Sequence, residues 1–234
     1  MDKMTEVKAD IEYKIEVEDK SFVLDKKKYN LLNNINTSES ITDAAKLTGI
    51  SYRTALNHIY KIETVLGINI VNTKKGGSGG GGKTTLTEEG FSILKECKKI
   101  NAITELHKDV NEVEAIVKDI DKSKKIMIIS INDKITINIP LKEEFAVGDK
   151  VLALISYDNI FLIVEPCNSS IRNVIKGTIA EMKMDNQTIC VKIDIGGVYL
   201  FSDITVSAEK DLDLELGKEI YIGFKAMSVA TLKA

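Results

Sequence analysis

The sequence of 234 residues contains no tryptophan, two prolines, two histidines and three cysteines. The cysteines, Cys97, Cys167 and Cys190, are odd in number and lack a C-x-x-C spacing, so neither a disulfide framework nor a zinc site is indicated. His58 and His107 are too few and too far apart along the chain to build a metal site. There is also no apolar run long enough to cross a bilayer and no apolar leader near the start. These absences predict a cytoplasmic protein without a metal centre or a membrane partner.

Charge is distributed unevenly along an otherwise ordinary globular composition, with 44% hydrophobic and 29% charged residues. Residues 25–85 carry nine Lys and Arg against four Asp and Glu, a net charge of +5, which leaves −8 on the rest of a chain whose net charge is −3. A basic segment on an acidic molecule is expected where only that segment meets nucleic acid. The length suits one large domain or two to three small ones.

Residues 41–90 combine two helical patterns with a hairpin pattern. A short helix over residues 42–47 is followed by Gly49, which permits the positive φ of a sharp turn. Ser51 then stands where a helix N-cap is expected, at the start of a second helix over residues 51–66. Two strand-like runs with a glycine-rich tip come next. This order predicts a winged helix-turn-helix, which is a DNA-binding architecture.

The second helix of this segment has a polar face opposite its apolar stripe. The apolar residues recur at three- and four-residue steps and are assigned to the core: Ala55, Leu56, Ile59, Ile62, Val65 and Leu66. The polar face carries side chains that can reach base edges or phosphates from a major groove. We predict that seven residues contact DNA: Ser51, Tyr52, Arg53, Thr54, Asn57, His58 and Lys61. A plain solvated helix face is the alternative for this pattern taken alone.

The glycine-rich tip reads GGSGGGG and is flanked by Lys74, Lys75 and Lys83. Backbone with so few side chains can approach a phosphate closely, and the lysines add positive charge. We therefore predict that these three lysines contact DNA from a wing. A flexible linker is the alternative for the glycines alone, but the capped helices on both sides favour the wing.

A further helix is predicted from Thr87, whose hydroxyl can cap it, to about residue 108. Its apolar stripe is longer than one small domain needs. The stripe either pairs with a second subunit or packs back on the helix-turn-helix, and it is too short for its spacing to decide between the two.

Beyond residue 113 the helical pattern gives way to ten short strand-like runs. FAVGDKVLALISYDNIFLIV aligns without gaps with LELGKEIYIGFKAMSVATLK at an offset of 69 residues. Such self-similarity indicates an internal repeat, and five short strands per repeat suit a small OB-like β-barrel. The predicted fold class is α+β and multidomain. Its domains are a winged helix-turn-helix at 1–86, a linking dimerisation helix at 87–112, and two tandem OB-like β-barrels at 113–168 and 169–234.

The second repeat carries two cations that the first lacks. It opens with SSIRN at residues 169–173 and contains Lys225, whereas Ser156 stands at the corresponding position of the first repeat. If folding brings Arg172 and Lys225 together with Ser170 and free backbone N–H groups, they form a pocket for a small dianion. An isolated arginine and lysine are otherwise usually surface charge.

The chain resembles the ModE-type molybdate-responsive transcription regulators, in which a LysR-like winged helix-turn-helix and a dimerising helix precede a tandem pair of molbindin (Mop) domains. The resemblance covers nearly all of the chain after residue 10 and is carried by GISYRTALNHI, KKGGSGGGGKTTLTEEG, SSIRN followed by GTI, ITVSAEKDLDLELGKE and FKAMSV. It implies a homodimer that binds a double-stranded DNA operator. It also implies molybdate or tungstate as the effector, without an organic cofactor.

The resemblance further implies where the oxyanion binds. Six residues would form the site, the first four from one chain and the last two from its neighbour: Ser170, Ile171 through its N–H group, Arg172, Lys225, Thr205 and Ser207. Ile171 replaces the alanine usual in this family, and the serine after I-T-x-x stands one position early, as Ser207. The first repeat lacks the motif and is expected to be structural.

The leading hypothesis is a molybdate- or tungstate-responsive regulator in which oxyanion binding at the molbindin dimer interface modulates operator binding. The alternative is an oxyanion storage or buffering protein without specific DNA regulation. An enzyme is not indicated, because the sequence shows no paired carboxylates, no nucleophile with a base and no P-loop spacing. GGKTT resembles a P-loop superficially, but residues 84–86 fit a strand better than a helix.

Overall fold

The computed structural model describes residues 10–74, 82–185 and 187–233. The chain divides into two compact units, Met1–Ile103 and Thr104–Ala234. Lys75 and residues 76–81 of the predicted wing tip lie outside the described residues. Within the described ranges, no helix combines the length and the apolar composition that crossing a bilayer requires.

The N-terminal part of the chain alternates hairpins and helices, and each helix begins at a side-chain cap. Its elements are β1 (Tyr13–Val17), β2 (Lys20–Leu24), α1 (Lys26–Ser38), α2 (Ile41–Thr48), α3 (Tyr52–Leu66), β3 (Val71–Lys74), β4 (Lys83–Leu86) and α4 (Glu88–Leu106). Capping oxygens accept a hydrogen bond from the backbone N–H three residues later at Asp25, Ser40, Ser51 and Thr87. The caps satisfy donors that a helix start leaves unpaired. The predicted caps at Ser51 and Thr87 are therefore confirmed.

One stripe of α3 lies in the core of the first unit. It consists of Ala55, Ile59, Ile62 and Leu66, all of which are buried. Two residues assigned to this stripe from the sequence are instead 39% and 44% exposed, namely Leu56 and Val65. Both lie on the flanks of the helix, where the neighbouring elements do not cover them. The prediction that they belong to the core is wrong.

The second unit is built from two antiparallel sheets. Its strands are β5 (Val110–Asp121), β6 (Ile126–Ser130), β7 (Thr136–Pro140), β8 (Lys150–Ser156), β9 (Phe161–Ile163), β10 (Asn173–Asp185), β11 (Thr188–Asp194), β12 (Tyr199–Thr205), β13 (Glu219–Phe224) and β14 (Val229–Lys233), and the short helix α5 (Val206–Asp211) follows β12. Among the described residues the strand orders are β14-β8-β5-β6-β7 and β12-β11-β10-β13-β9. Buried residues of both sheets form one continuous hydrophobic core. The predicted mixture of helices and sheets is confirmed.

The last strand of each repeat pairs in the sheet of the other repeat. β9, from the first repeat, pairs with β13 of the second, and β14, from the second, pairs with β8 of the first. A cut between residues 168 and 169, predicted as the boundary between two barrels, therefore does not separate two complete sheets. Hydrophobic periodicity indicates where a strand lies, but it does not specify which strand is its neighbour.

Two buried asparagines connect the repeats reciprocally. The Oδ1 atom of Asn111 accepts from the N–H of Phe201 at 2.7 Å, and its Nδ2 donates to the Phe201 carbonyl at 3.0 Å. Asn173 makes the same pair of bonds with the backbone of Asn138, at 2.6 and 2.9 Å. Phe201 and Asn138 lie on β12 and β7, which are the edge strands of the two sheets. Each amide therefore satisfies backbone groups that an edge strand leaves unpaired.

Asn111→Ala and Asn173→Ala are each expected to lower the free energy of unfolding by about 2 kcal/mol, because each leaves a peptide N–H and C=O without partners in a partly buried place. Urea unfolding followed by circular dichroism at fixed protein concentration measures the change. Asn138→Ala is the matched control, since Asn173 bonds to the backbone of that residue and not to its side chain. A control loss as large as that of Asn173→Ala would contradict the interpretation.

Candidate functional site

The outward face of α3 presents most of the side chains predicted to contact DNA. Tyr52, Arg53, Asn57 and Lys61 are exposed, on the side of the helix away from its buried stripe. An arginine and an asparagine at this spacing can each make paired hydrogen bonds to a base edge. Because none of these four side chains is needed in the core, this face is available for a ligand.

The remaining three residues predicted to contact DNA, which are the cap and two residues of α3, are less available to a ligand. The Ser51 hydroxyl caps the helix and lies 2.8 Å from the Thr54 hydroxyl. His58 is partly buried; burial lowers the pKa of its imidazole, and the positive charge of Lys28 lowers it further. A neutral imidazole is therefore favoured near pH 7, so His58 can hydrogen-bond but contributes little charge.

Sequence reasoning missed Tyr60, which is 68% exposed. It follows Asn57 by three positions and Arg53 by seven, and residues at these spacings share one helix face. Tyr60 was missed because an aromatic residue in an amphipathic pattern is normally assigned to the core. An exposed aromatic ring among polar side chains is a candidate contact to a base or a sugar.

The hairpin β3–β4 is held against the helices at its base. The Glu63 carboxylate accepts from the backbone N–H groups of Ile70 and Val71, at 2.9 and 3.3 Å. Lys74 and Lys83 face each other across the hairpin, beside the tip. The Lys83 ammonium lies 2.6 Å from the carboxylate of Glu39, so its charge is partly neutralised. Of the two wing lysines whose positions are described, Lys74 is exposed and lacks such a partner.

The register of the second sheet brings two residues of the predicted oxyanion site to the same end of the sheet. Asn173 pairs with Phe224 at the end of the β10–β13 ladder. If the register continues one step beyond this last pair, Arg172 is opposite Lys225, and facing residues of antiparallel strands have Cβ atoms roughly 5 Å apart. Both side chains are exposed. Arg172 and Lys225 therefore adjoin the last residue pair of this ladder, at one end of the sheet.

The loop before β10 arranges the polar groups around these cations. The Arg172 Nη1 atom donates to the Ser169 carbonyl at 2.8 Å, which holds the guanidinium against the loop. A guanidinium has five N–H groups, so donors remain for an anion. The Ile171 side chain packs beside Gly223, where an added Cβ would lie 3.2 Å from it. The Ile171 N–H donates to the Ser169 hydroxyl at 3.2 Å, and Ser170 is exposed.

Thr205 and Ser207 lie at the opposite end of the same sheet. Thr205 pairs with Thr188, next to the far end of β10, whereas Arg172 precedes the first residue of that strand. The strand has 13 residues, which correspond to roughly 40 Å of extended chain. The two hydroxyls are 3.0 Å apart, and Thr205 caps α5. A single chain therefore does not bring this pair to Arg172.

The TOBE domain family model matches residues 169–231, which include all six predicted oxyanion residues. The transcriptional regulator ModE of Yersinia pestis is 24% identical over 245 residues, which cover 89% of this chain and 93% of that protein. A probable molybdenum-pterin-binding protein of Haemophilus influenzae is 43% identical over 61 residues, which are 88% of its length. The chain belongs to the ModE-type family of transcriptional regulators. Because this is a family of regulators, the prediction that the chain is not an enzyme is confirmed.

The ModE-type chain also matches part of several longer proteins. The molybdenum import ATP-binding protein ModC of Shewanella oneidensis is 41% identical over 70 residues. The chain spans 19% of that protein and 24% of ModC of Haemophilus influenzae. A solved structure of the cytoplasmic molybdate-binding protein ModG, with molybdate bound, is 19% identical, with a TM-score of 0.49 over 53% of this chain and 96% of that one.

Proposed function

We propose that this protein is a homodimeric, DNA-binding transcription regulator whose effector is molybdate or tungstate. The observation that carries the proposal is that Arg172 and Lys225 adjoin the last residue pair of the β10–β13 ladder, within the residues that the TOBE model matches. These ions are tetrahedral dianions, and two cations with the Ser170 hydroxyl nearby can give them charge-assisted hydrogen bonds. Binding of this kind needs no acid, base or nucleophile. The similarity to ModE along almost the whole chain supports the same conclusion.

The anion site is completed, in this proposal, by a second copy of the chain. Thr205 and Ser207 lie too far from Arg172 to contribute within one chain, so they would approach the pocket of the partner. Two hydroxyls can donate to the oxygens of the anion that Arg172 and Lys225 leave uncovered. Each dimer would then hold two anions, each shared between the copies.

DNA binding is assigned to α2, α3 and the hairpin β3–β4, acting as a winged helix-turn-helix. α3 would enter the major groove with Arg53, Asn57 and Tyr60 toward the bases, and Lys61 and Lys74 would contact phosphates. In a dimer, two such helices would read half-sites roughly 34 Å apart. The net positive charge of residues 25–85 favours this placement of the duplex.

Anion binding would regulate DNA binding by favouring one arrangement of the dimer. A ligand shifts a conformational equilibrium only if it binds one state more tightly than the other. An anion held between two copies meets that condition, since it is fully coordinated only when both sides of the pocket are in place. DNA binding must then raise the affinity for the anion by the same factor.

Storage of the oxyanion is the second candidate, and the similarity to a molybdenum-pterin-binding protein that is little longer than one repeat favours it. The two functions differ in their salt dependence. A regulator that contacts several phosphates should bind random duplex DNA far more weakly at 200 mM than at 50 mM salt. A store should show no such dependence.

The proposed function is tested by titrating the full chain with molybdate, tungstate and sulfate in a calorimeter, and by gel shifts with and without molybdate. Arg53→Ala and Tyr60→Ala are each expected to weaken DNA binding about tenfold, the loss typical of one base contact, while anion affinity is unchanged. Lys98→Ala, an exposed lysine of α4, is the control. Wild-type DNA affinity in Arg53→Ala, or no heat of binding with either metal oxyanion, would refute the corresponding part of the proposal.

A further inference from the structure

The first repeat contains a structural counterpart of the proposed anion pocket. β5 and β10 carry a β-bulge at equivalent places, after Val117 and Ile179, which are 62 positions apart. Asn111 and Asn173, which each bind an edge strand of the other repeat, are also 62 positions apart. A spacing of 62 also aligns Val110 with Arg172, and Val110 faces Ser156, the counterpart of Lys225. The position of the pocket is therefore preserved in the first repeat, although neither of its cations is.

This counterpart carries negative charge. Asp109 immediately precedes Val110, and Asp158 accepts hydrogen bonds from the Ser156 hydroxyl and from His107, whose Nδ1 lies 3.0 Å away. Asp203 of β12 is a third carboxylate beside them; burial raises the pKa of Asp203, and the charges of Asp109 and Asp158 raise it further. We call Asp109, Asp158 and Asp203 the acidic cluster. An oxyanion would be repelled there.

Lysines occupy the other end of the first repeat. Asn138 and Phe201, the two backbones that the asparagines bind, are 63 positions apart, and this spacing aligns Lys142 with Thr205. Lys142 lines one groove of about 890 Å³ together with Lys122 and Lys125, and Glu143 lines it as well. We call Lys122, Lys125 and Lys142 the lysine groove. Lys122 and Lys125 are exposed, while Lys142 also donates to the Thr231 carbonyl at 2.8 Å.

We propose that two copies of this chain are joined through their first repeats by ion pairs between the acidic cluster of one copy and the lysine groove of the other. The inference rests on the proposed function, in which the Thr205 end of one copy meets the Arg172 end of its partner. The same arrangement of the first repeats places Lys142 against Asp109 and Asp158. The opposite charges of these surfaces suit direct contact without an intervening anion.

The two repeats would thus have different tasks in one dimer. In a two-fold symmetric dimer each contact occurs twice, so the first repeats supply two salt-bridged contacts that persist without ligand. The second repeats supply two contacts that are complete only when the anion is bound. The free energy of anion binding then changes the geometry of an existing dimer instead of driving association.

A charge swap tests this inference on the full chain, without molybdate or DNA. One variant carries Asp109→Lys with Asp158→Lys, and the other carries Lys122→Glu with Lys125→Glu. Each alone should dimerise at least about tenfold more weakly, because like charges then face each other twice. An equimolar mixture should restore dimerisation, since both contacts of the mixed dimer pair opposite charges. Analytical ultracentrifugation at two salt concentrations measures the dissociation constants.

The matched control for a change of charge is Lys20→Glu with Lys46→Glu, two exposed residues of the first unit, and it should dimerise like the wild type. A mixture of the two swapped variants that associates no better than either alone would overturn the inference, provided circular dichroism shows that both fold. This readout requires neither anion nor DNA. Restored association in a chain that does not respond to molybdate would therefore count only against the proposed function.

Discussion

Arg172→Ala is expected to weaken molybdate binding about 100-fold and to remove the effect of molybdate on DNA binding. The guanidinium supplies directed donors to a doubly charged ligand, and losing one partner of such a pair costs roughly 2–5 kcal/mol. The remaining cation, Lys225, cannot replace the paired geometry. Calorimetric titration with molybdate measures the first effect, and a gel shift with increasing molybdate measures the second.

Two variants make this result specific to the pocket. Lys176→Ala removes an exposed cation of the same strand, one that is paired with Glu219 at 2.9 Å, and should bind molybdate like the wild type. Arg172→Lys keeps the charge and should recover only part of the affinity, because an ammonium lacks the planar donor pair. If Arg172→Ala bound molybdate with wild-type affinity, the assignment of the pocket to this end of β10 would be wrong.

Gly90→Ala is expected to destabilise the protein by about 3 kcal/mol or more. A Cβ atom at this position would lie 2.2 Å from the carbonyl oxygen of Ile70 and 3.0 Å from its carbonyl carbon. These are backbone atoms next to the start of β3, and Ile70 is fully buried, so the neighbour cannot move away cheaply. Overpacking of a rigid site typically costs 1–3 kcal/mol and occasionally more. Urea unfolding at fixed protein concentration measures the loss.

Ser92→Ala places an alanine on the same helix at an exposed position, without adding an atom. It should change the free energy of unfolding by less than about 0.5 kcal/mol, as is usual for surface substitutions. Gly90→Ala should also weaken DNA binding, because the close approach of α4 to Ile70 holds the base of the hairpin β3–β4. A Gly90→Ala protein as stable as the Ser92→Ala protein would show that α4 does not need this close approach.

Features that depend on a few consecutive residues were predictable from the sequence. The cap at Ser51 follows from one hydroxyl and the N–H three residues later, and Gly49 adopts the positive φ of 72° expected for the turn before it. The strands of the second unit follow from alternation of apolar and polar residues. In each case both partners lie within one turn or one strand.

The candidate sites were predictable to different degrees. The exposed positions of Arg53, Asn57 and Lys61 follow from helical periodicity, because residues opposite an apolar stripe face outward. The placement of Arg172 and Lys225 at the same end of one sheet does not follow from periodicity, since they are far apart along the chain and reach that end only through the register of β10 and β13. Their assignment to one anion site came from resemblance to a family and not from the residue pattern.

Local patterns of residue type and spacing determine where the helices and strands lie. The same patterns show the basic character of the N-terminal part and the presence of two repeats. Three features arise only when the elements pack against each other: the exchange of strands between the repeats, the reciprocal hydrogen bonds of Asn111 and Asn173, and the exposure of Leu56 and Val65. The physical reason is that periodicity specifies which face of an element is apolar. The identity of the partner that covers this face, and the register at which it pairs, depend on contacts between residues distant along the chain.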